Sequence, residues 1–170
     1  MPDGMPATCS AILGHRDDPD FADRVVDHLD VGWGDATKHR RLAATARGRT
    51  VALDLPRGTF LVDGAVLVDD GDVVVAVRRP AEDAIVIPLD ELRGPEACRR
   101  ALLLGHRLGN QHAPLEFVGT ELRTPLVTGA PTAEAALAAL GLPGGVRRVP
   151  LAARGWASTS ADHREGHHHG

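Results

Sequence analysis

Four histidines crowd the carboxyl end of the chain in "HREGHHHG": His163, His167, His168 and His169. Neutral imidazole is a good ligand for nickel, zinc and copper. Several imidazoles on one short stretch can serve a single ion. An expression tag is the dull alternative. Only three of these histidines are consecutive, one stands upstream and a glycine follows, so the stretch reads as a native metal-binding tail. A fifth histidine, His112, sits inside "LGNQHAPLEF" (108–117), between the end of a helix and the start of a strand. A lone histidine in a loop is ordinarily a capping or surface residue. His112 gains weight because it is held at a defined turn, in a chain that already carries a histidine cluster. His15, His28, His39 and His106 lack ligand spacing and read as structural.

Other chemistries fare worse. The acidic runs "DDPD" (17–20) and "DDGD" (69–72) lack the spacing of an EF-hand loop and read as solvated turns. The glycines of "LPGG" (142–145) precede a strand, not a helix, so they cradle no phosphate. There is no HExxH, no nucleophile elbow and no Cys-x-x-Cys. A metal-dependent hydrolase built on His112 needs carboxylates around it, and only Glu116 is near. The expectation is that the protein is not an enzyme.

Composition narrows the class further. Hydrophobic residues make up 43% of the 170, but aromatics only 3%, so a core must come from Val, Leu and Ala. The formal charge is −4, and the arginine pairs (40–41, 78–79, 99–100, 147–148) never grow into a basic tract. No nucleic-acid partner is expected. No charged-then-apolar leader and no span-length apolar run is present, which predicts a cytoplasmic protein without membrane contact. Cys9 and Cys98 lie far apart; Cys98 falls on the apolar face of a predicted helix and is expected to be a buried, reduced thiol.

The elements that must position these residues fall into two halves. "TVALDL" (50–55) alternates apolar and polar positions, and "TFLV" (59–62), "AVLV" (65–68), "DVVVAV" (72–77) and "AIVI" (84–87) follow as strands. Asp63-Gly64 and Asp70-Gly71 are hairpin signals. From Pro95 to Leu108 the period becomes helical, with Cys98, Ala101, Leu102, Gly105 and Leu108 on one face and Gly109 as the left-handed residue past the end. "PLEFV" (114–118) and "ELRTPLV" (121–127) read as strands, and a second helix runs from Thr132 to Leu140, closed by Gly141. "VRRVPL" (146–151) is the last strand. The fold class is α+β. A small N-terminal all-β domain (1–80) precedes a ferredoxin-like βαββαβ domain (81–151), and a disordered His-rich tail (152–170) follows. The first nine or so residues read as loose.

Two motifs in order carry a family resemblance. "RLAATARGRTVALDLPRGTFLVDGAVLVDDG" (41–71) and "LLGHRLGNQHAPLEF" (103–117), followed by a histidine-rich end, resemble the urease accessory protein UreE family. "LDLPRGT…DGAVL" is similar to that family's N-terminal signature, and "LGNQH" to its LGN-x-H metal motif. The resemblance implies a homodimeric nickel metallochaperone that delivers Ni2+ for assembly of the urease active centre. Zn2+ and Cu2+ would compete for such a site. By the resemblance, His112 binds metal at the dimer interface, and His163, His167, His168 and His169 complete or feed that site. The implied partners are the urease maturation GTPase UreG and the apo-urease assembly complex. Many members carry a histidine just before LGN; here that position is Arg107 and His106 is displaced by one residue. Such a shift rotates a helical side chain by about 100°, which leaves more to the tail. The rival readings are a metal-free module that docks a partner polypeptide through its β domain, and metal storage by the tail alone.

Overall fold

A computed structural model describes residues 6–157. The chain divides into two units: residues up to Glu82 join Arg148–Gly155 in one, and Asp83–Arg147 join Trp156 and Ala157 in the other. Among the described residues, no helix is long and apolar enough to cross a membrane.

The first unit is built of strands. In chain order they are β1 (Ala7–Cys9), β2 (Gly14–His15), β3 (Val25–Asp30), β4 (Arg40–Ala44), β5 (Thr50–Asp54), β6 (Ala65–Asp69) and β7 (Val73–Arg78). One sheet has the order β1-β5-β4, the other β2-β6-β7-β3. Val51 and Leu53 of β5 are buried while Thr50 and Asp54 are exposed, as the alternation predicts. Cys9, Leu29, Val51, Leu53, Leu67, Val75 and Val77 come from both sheets into one apolar cluster. Burying each leucine is worth about 2 kcal/mol, and β-branched side chains suit the pleated surface.

Two segments depart from the sequence reading. Residues 7–9 are not loose: β1 pairs in parallel with β5, Cys9 opposite Leu53, and the Cys9 side chain is buried. "TFLV" is not a strand, because its backbone is satisfied elsewhere. Leu61 N–H donates to Ala36 O at 2.9 Å, and Thr59 N–H donates to Pro56 O at 3.2 Å. The buried Arg79 guanidinium holds this loop in place, donating to Leu61 O and, at 2.9 Å and 3.0 Å, to Val31 O and Gly32 O.

The second unit reads strand–helix–strand–strand–helix–strand. β8 (Ala81–Pro88) and β11 (Gly145–Pro150) straddle the division between the units; α1 (Gly94–Asn110), β9 (Glu116–Val118), β10 (Glu121–Pro125) and α2 (Ala130–Leu140) lie within it. The sheet order is β11-β8-β10-β9, with β10 antiparallel to both neighbours. Ile85, Ile87, Leu104, Leu108, Ala133 and Leu137 bring helices and sheet into one cluster.

Here the expected helix face is wrong. Leu104 and Leu108 are the buried residues of α1; Leu102 is 75% exposed and Cys98 is an exposed free thiol. Three consecutive leucines (102–104) cover about 200° of the helix, so periodicity alone admits two faces. Packing selects the one whose i, i+4 pair meets the sheet. The helix also continues through Gly109 to Asn110. After β11 the chain does not leave the fold at once: Leu151 and Ala152 are fully buried. The expected disorder from 152 therefore does not hold for these first residues, whose backbone and side chains are taken up by the first unit. The remaining tail, 158–170, lies outside the described residues.

Candidate metal centre

Helix α1 ends in a defined hydrogen-bond pattern. The N–H of Gln111 donates to Leu108 O at 3.1 Å, that of His112 to Gly109 O at 3.0 Å, and that of Ala113 to Leu108 O at 3.0 Å. The paired last two bonds are a Schellman motif, which satisfies carbonyls that a helix end leaves unpaired. Its left-handed residue is His112, with φ 52°, and its apolar contact joins Ala113 to Leu108 in the core cluster. Placing a Cβ residue in that conformation costs on the order of 1 kcal/mol, the reason glycine usually stands there.

The expected left-handed residue was Gly109; the motif instead passes that role three residues on, to the candidate ligand. The His112 side chain is exposed and makes no hydrogen bond or ion pair with any described residue. The residue stands at a position fixed by three backbone bonds.

His106 lies one and a half turns earlier on α1 and is exposed. The Asn110 amide donates to its Nε2 at 3.2 Å, so that nitrogen is already engaged. Glu116, the carboxylate near His112 in sequence, is only 6% exposed and stands opposite Arg123 in the β9–β10 register. Among the described residues, no three of His, Cys, Asp and Glu gather as a metal cage. His163, His167, His168 and His169 lie outside the described residues.

His15 and the acidic turn at 69–72 are occupied structurally. His15 Nε2 lies 3.0 Å from Asp63 O, inside the turn closed by Gly64. Asp69 and Asp70 spend their oxygens on the N–H groups of Gly71, Asp72 and Val73, and Asp70 also pairs with Arg49 at 2.9 Å. The Val73 amide, first among these, holds the Asp70 carboxyl below the ordinary range. That loop is a turn whose Asp69 and Asp70 carboxylates accept from its own backbone. Glu121 is likewise held low by hydrogen bonds from Arg147 and Arg123.

Comparison with known proteins bears on the same residues. The sequence profile of the UreE urease accessory protein, N-terminal domain, matches residues 10–79, which hold β2 to β7 of the first unit. Urease accessory protein UreE 1 of Pseudomonas syringae pv. tomato is 33% identical over 123 residues, spanning 68% of this chain and 80% of its own length. The chain belongs to the UreE family. The urease accessory protein UreE of Acetivibrio thermocellus is 31% identical over 115 residues, 67% of this chain and 71% of its own. That of Burkholderia mallei is 43% identical over 83 residues, 48% and 38% respectively. UreE proteins are accessory factors of urease maturation, not enzymes, and a role in handling nickel is consistent with that membership.

Sequence reading singled out His112 by motif but missed its backbone conformation and the path of residues 151–157. Neither had a signal: "GNQHA" offers Asn110 and Gly109 for the left-handed position and uses neither, and the path of 151–157 rests on backbone hydrogen bonds.

Proposed function

We propose that this protein is a homodimeric nickel carrier in which His112 of each protomer and histidines of the carboxyl-terminal tail hold the ion in transit to apo-urease. The carrying observation is the conformation of His112: an exposed imidazole kept, at a conformational cost, in a slot that glycine fills more cheaply.

One imidazole per chain is a poor nickel site. A two-fold axis near His112 pairs it with its twin, because an isologous interface repeats the same residue from each side. The second unit offers surface for such contact. Leu102 is 75% exposed and Phe117 57%, and Gly105 and Gly109 on the outer side of α1 have open space over them. Two facing imidazoles leave coordination positions free. His163, His167, His168 and His169 supply further ligands at high effective concentration without making any single bond slow to break. A carrier needs that lability to hand its ion on, and in this reading the receivers are the GTPase UreG and the urease assembly complex. Zn2+ and Cu2+ would compete for the same imidazoles.

Nickel titration of the full chain against His112→Ala, with the oligomeric state read by analytical ultracentrifugation, tests the proposal. Loss of the tight site in the variant supports it. An unchanged tight site returns His112 to a turn residue.

A further inference from the structure

Strand β2 ends in a turn that gives each nitrogen of one imidazole a different kind of neighbour. His15 stands opposite Ala65 of β6, and Arg16 N–H donates to Gly64 O at 2.8 Å. The chain then reverses: Asp18 N–H donates to His15 O at 2.8 Å, and the Asp18 carboxylate accepts from His15 N–H at 2.7 Å. The ring lies over Gly64, where an added Cβ would collide with it. Its Nε2 is 3.0 Å from Asp63 O, and its Nδ1 accepts from Asp17 N–H at 3.3 Å. A carbonyl oxygen only accepts and a backbone N–H only donates. The neutral ring must therefore carry its hydrogen on Nε2 and leave Nδ1 bare. Four charged groups surround it. Asp17 Oδ2 stands 3.4 Å from Nδ1, on an exposed side chain. The Arg16 guanidinium lies 3.7 Å from Asp17 Oδ1 and 3.8 Å from Asp63 Oδ2. The Asp18 and Asp63 carboxylates are occupied by the N–H groups of His15 and Arg79.

We propose that His15 is a proton-operated latch that sets the turn 15–18 of the first unit in one of two hydrogen-bond arrangements. In the neutral arrangement Nδ1 accepts from Asp17 N–H, and the Asp17 carboxylate has only the guanidinium of Arg16 beside it. A proton taken up from solvent adds at Nδ1, because Nε2 already carries one. Nδ1–H then meets Asp17 N–H donor to donor, and that bond is lost. The carboxylate of the same residue, already 3.4 Å away, accepts the new N–H in a charge-assisted bond. The bond from Nε2–H to Asp63 O survives in both states, so the ring stays over Gly64 while residue 17 turns. Asp63 is a firm anchor: its carboxylate accepts from Arg79 N–H at 2.8 Å and its own N–H donates to Ala153 O at 2.9 Å. Acidification therefore takes one free carboxylate off the surface of this turn. The latch uses none of the candidate nickel ligands and stands whether or not they bind metal.

The experiment follows the ring nitrogens and backbone amides of the isotope-labelled full chain by NMR between about pH 8 and pH 5, the span over which imidazole changes charge. The expected tautomer of His15 at the upper end is Nε2–H. As the ring takes up its proton, the Asp17 amide signal should move, and those of Gly64 and Ala65 far less. In His15→Gln the movement of the Asp17 amide over that span should be lost. In Asp17→Asn the Nδ1 proton of the charged ring, sheltered by the carboxylate in the parent, should be lost to exchange with water. An Nδ1–H tautomer overturns the latch, as does an Asp17 amide that stays still or moves as far in His15→Gln. So do Gly64 and Ala65 amides that move as far as that of Asp17, or an Nδ1 proton equally sheltered in Asp17→Asn. Should either variant fail to fold, the tautomer and the Asp17 amide of the parent decide, since neither needs a substitution.

Discussion

Helices α1 and α2 end alike. In α2, Gly141 N–H donates to Ala138 O at 2.9 Å and Leu142 N–H to Leu137 O at 3.1 Å, the same pair of bonds that His112 and Ala113 make at the end of α1. The left-handed residue is Gly141 in one, with φ 60°, and His112 in the other, with φ 52°. Beneath each, the corresponding leucine, Leu137 or Leu108, is buried in the same cluster. The two termini solve one folding problem with two residues, and only the glycine is the cheap solution.

Several substitutions break or sharpen that contrast. The largest effect is on metal: His112→Ala should weaken tight nickel binding at least tenfold in competition titration, while leaving the melting temperature near that of the parent, since alanine in this conformation is strained like histidine. Acidification should come next. Free imidazole takes up a proton near pH 6.5 and must lose it to bind, so each ligating imidazole should cost about tenfold in nickel affinity on going from pH 7.5 to 5.5. Affinity unchanged at pH 5.5 in calorimetry rules imidazole ligands out. Gly141→Ala should destabilise by about 1 kcal/mol in denaturant unfolding, because φ is positive and the added Cβ meets Arg100 Nη1 at 2.6 Å. The reciprocal His112→Gly should raise stability by about 0.5–1 kcal/mol while abolishing the tight nickel site. That opposite movement of stability and binding is the sharpest check on the comparison.

The smallest effect concerns Glu121, whose carboxyl is held below its ordinary value by Arg147 and then Arg123. A lowered folded-state value adds stability that is present above the unfolded-chain value near 4.5 and is lost as pH falls through the folded one. Glu121→Gln should therefore flatten part of the acid limb of a melting-temperature profile below pH 4.5, by little, because the pairs are solvent-screened.

What was legible in the sequence follows from how locally each feature is determined. β5 was readable because one face of a half-buried strand forces strict alternation of Val51 and Leu53 with Ala52 and Asp54. The end of α2 was readable because glycine declares itself. The buried face of α1 was not, since Leu102, Leu103 and Leu104 offer adjacent faces and only tertiary packing chooses among them. β1 was hidden because three residues pair with a distant strand and carry no periodicity of their own. At the candidate site, His112 was found from its motif, but its strained backbone has no side-chain signature. Backbone hydrogen bonding between distant segments is the information that a pattern of side chains does not carry.

The chain's two cysteines are chemically unequal. Burial pushes the Cys9 thiol up and shuts it inside the strand cluster, whereas Cys98 stands in solvent on α1. A maleimide at neutral pH should therefore mark Cys98 alone, installing a fluorophore or spin probe without any engineered residue. The unmodified protein thus carries its own reporter on the exposed side of α1.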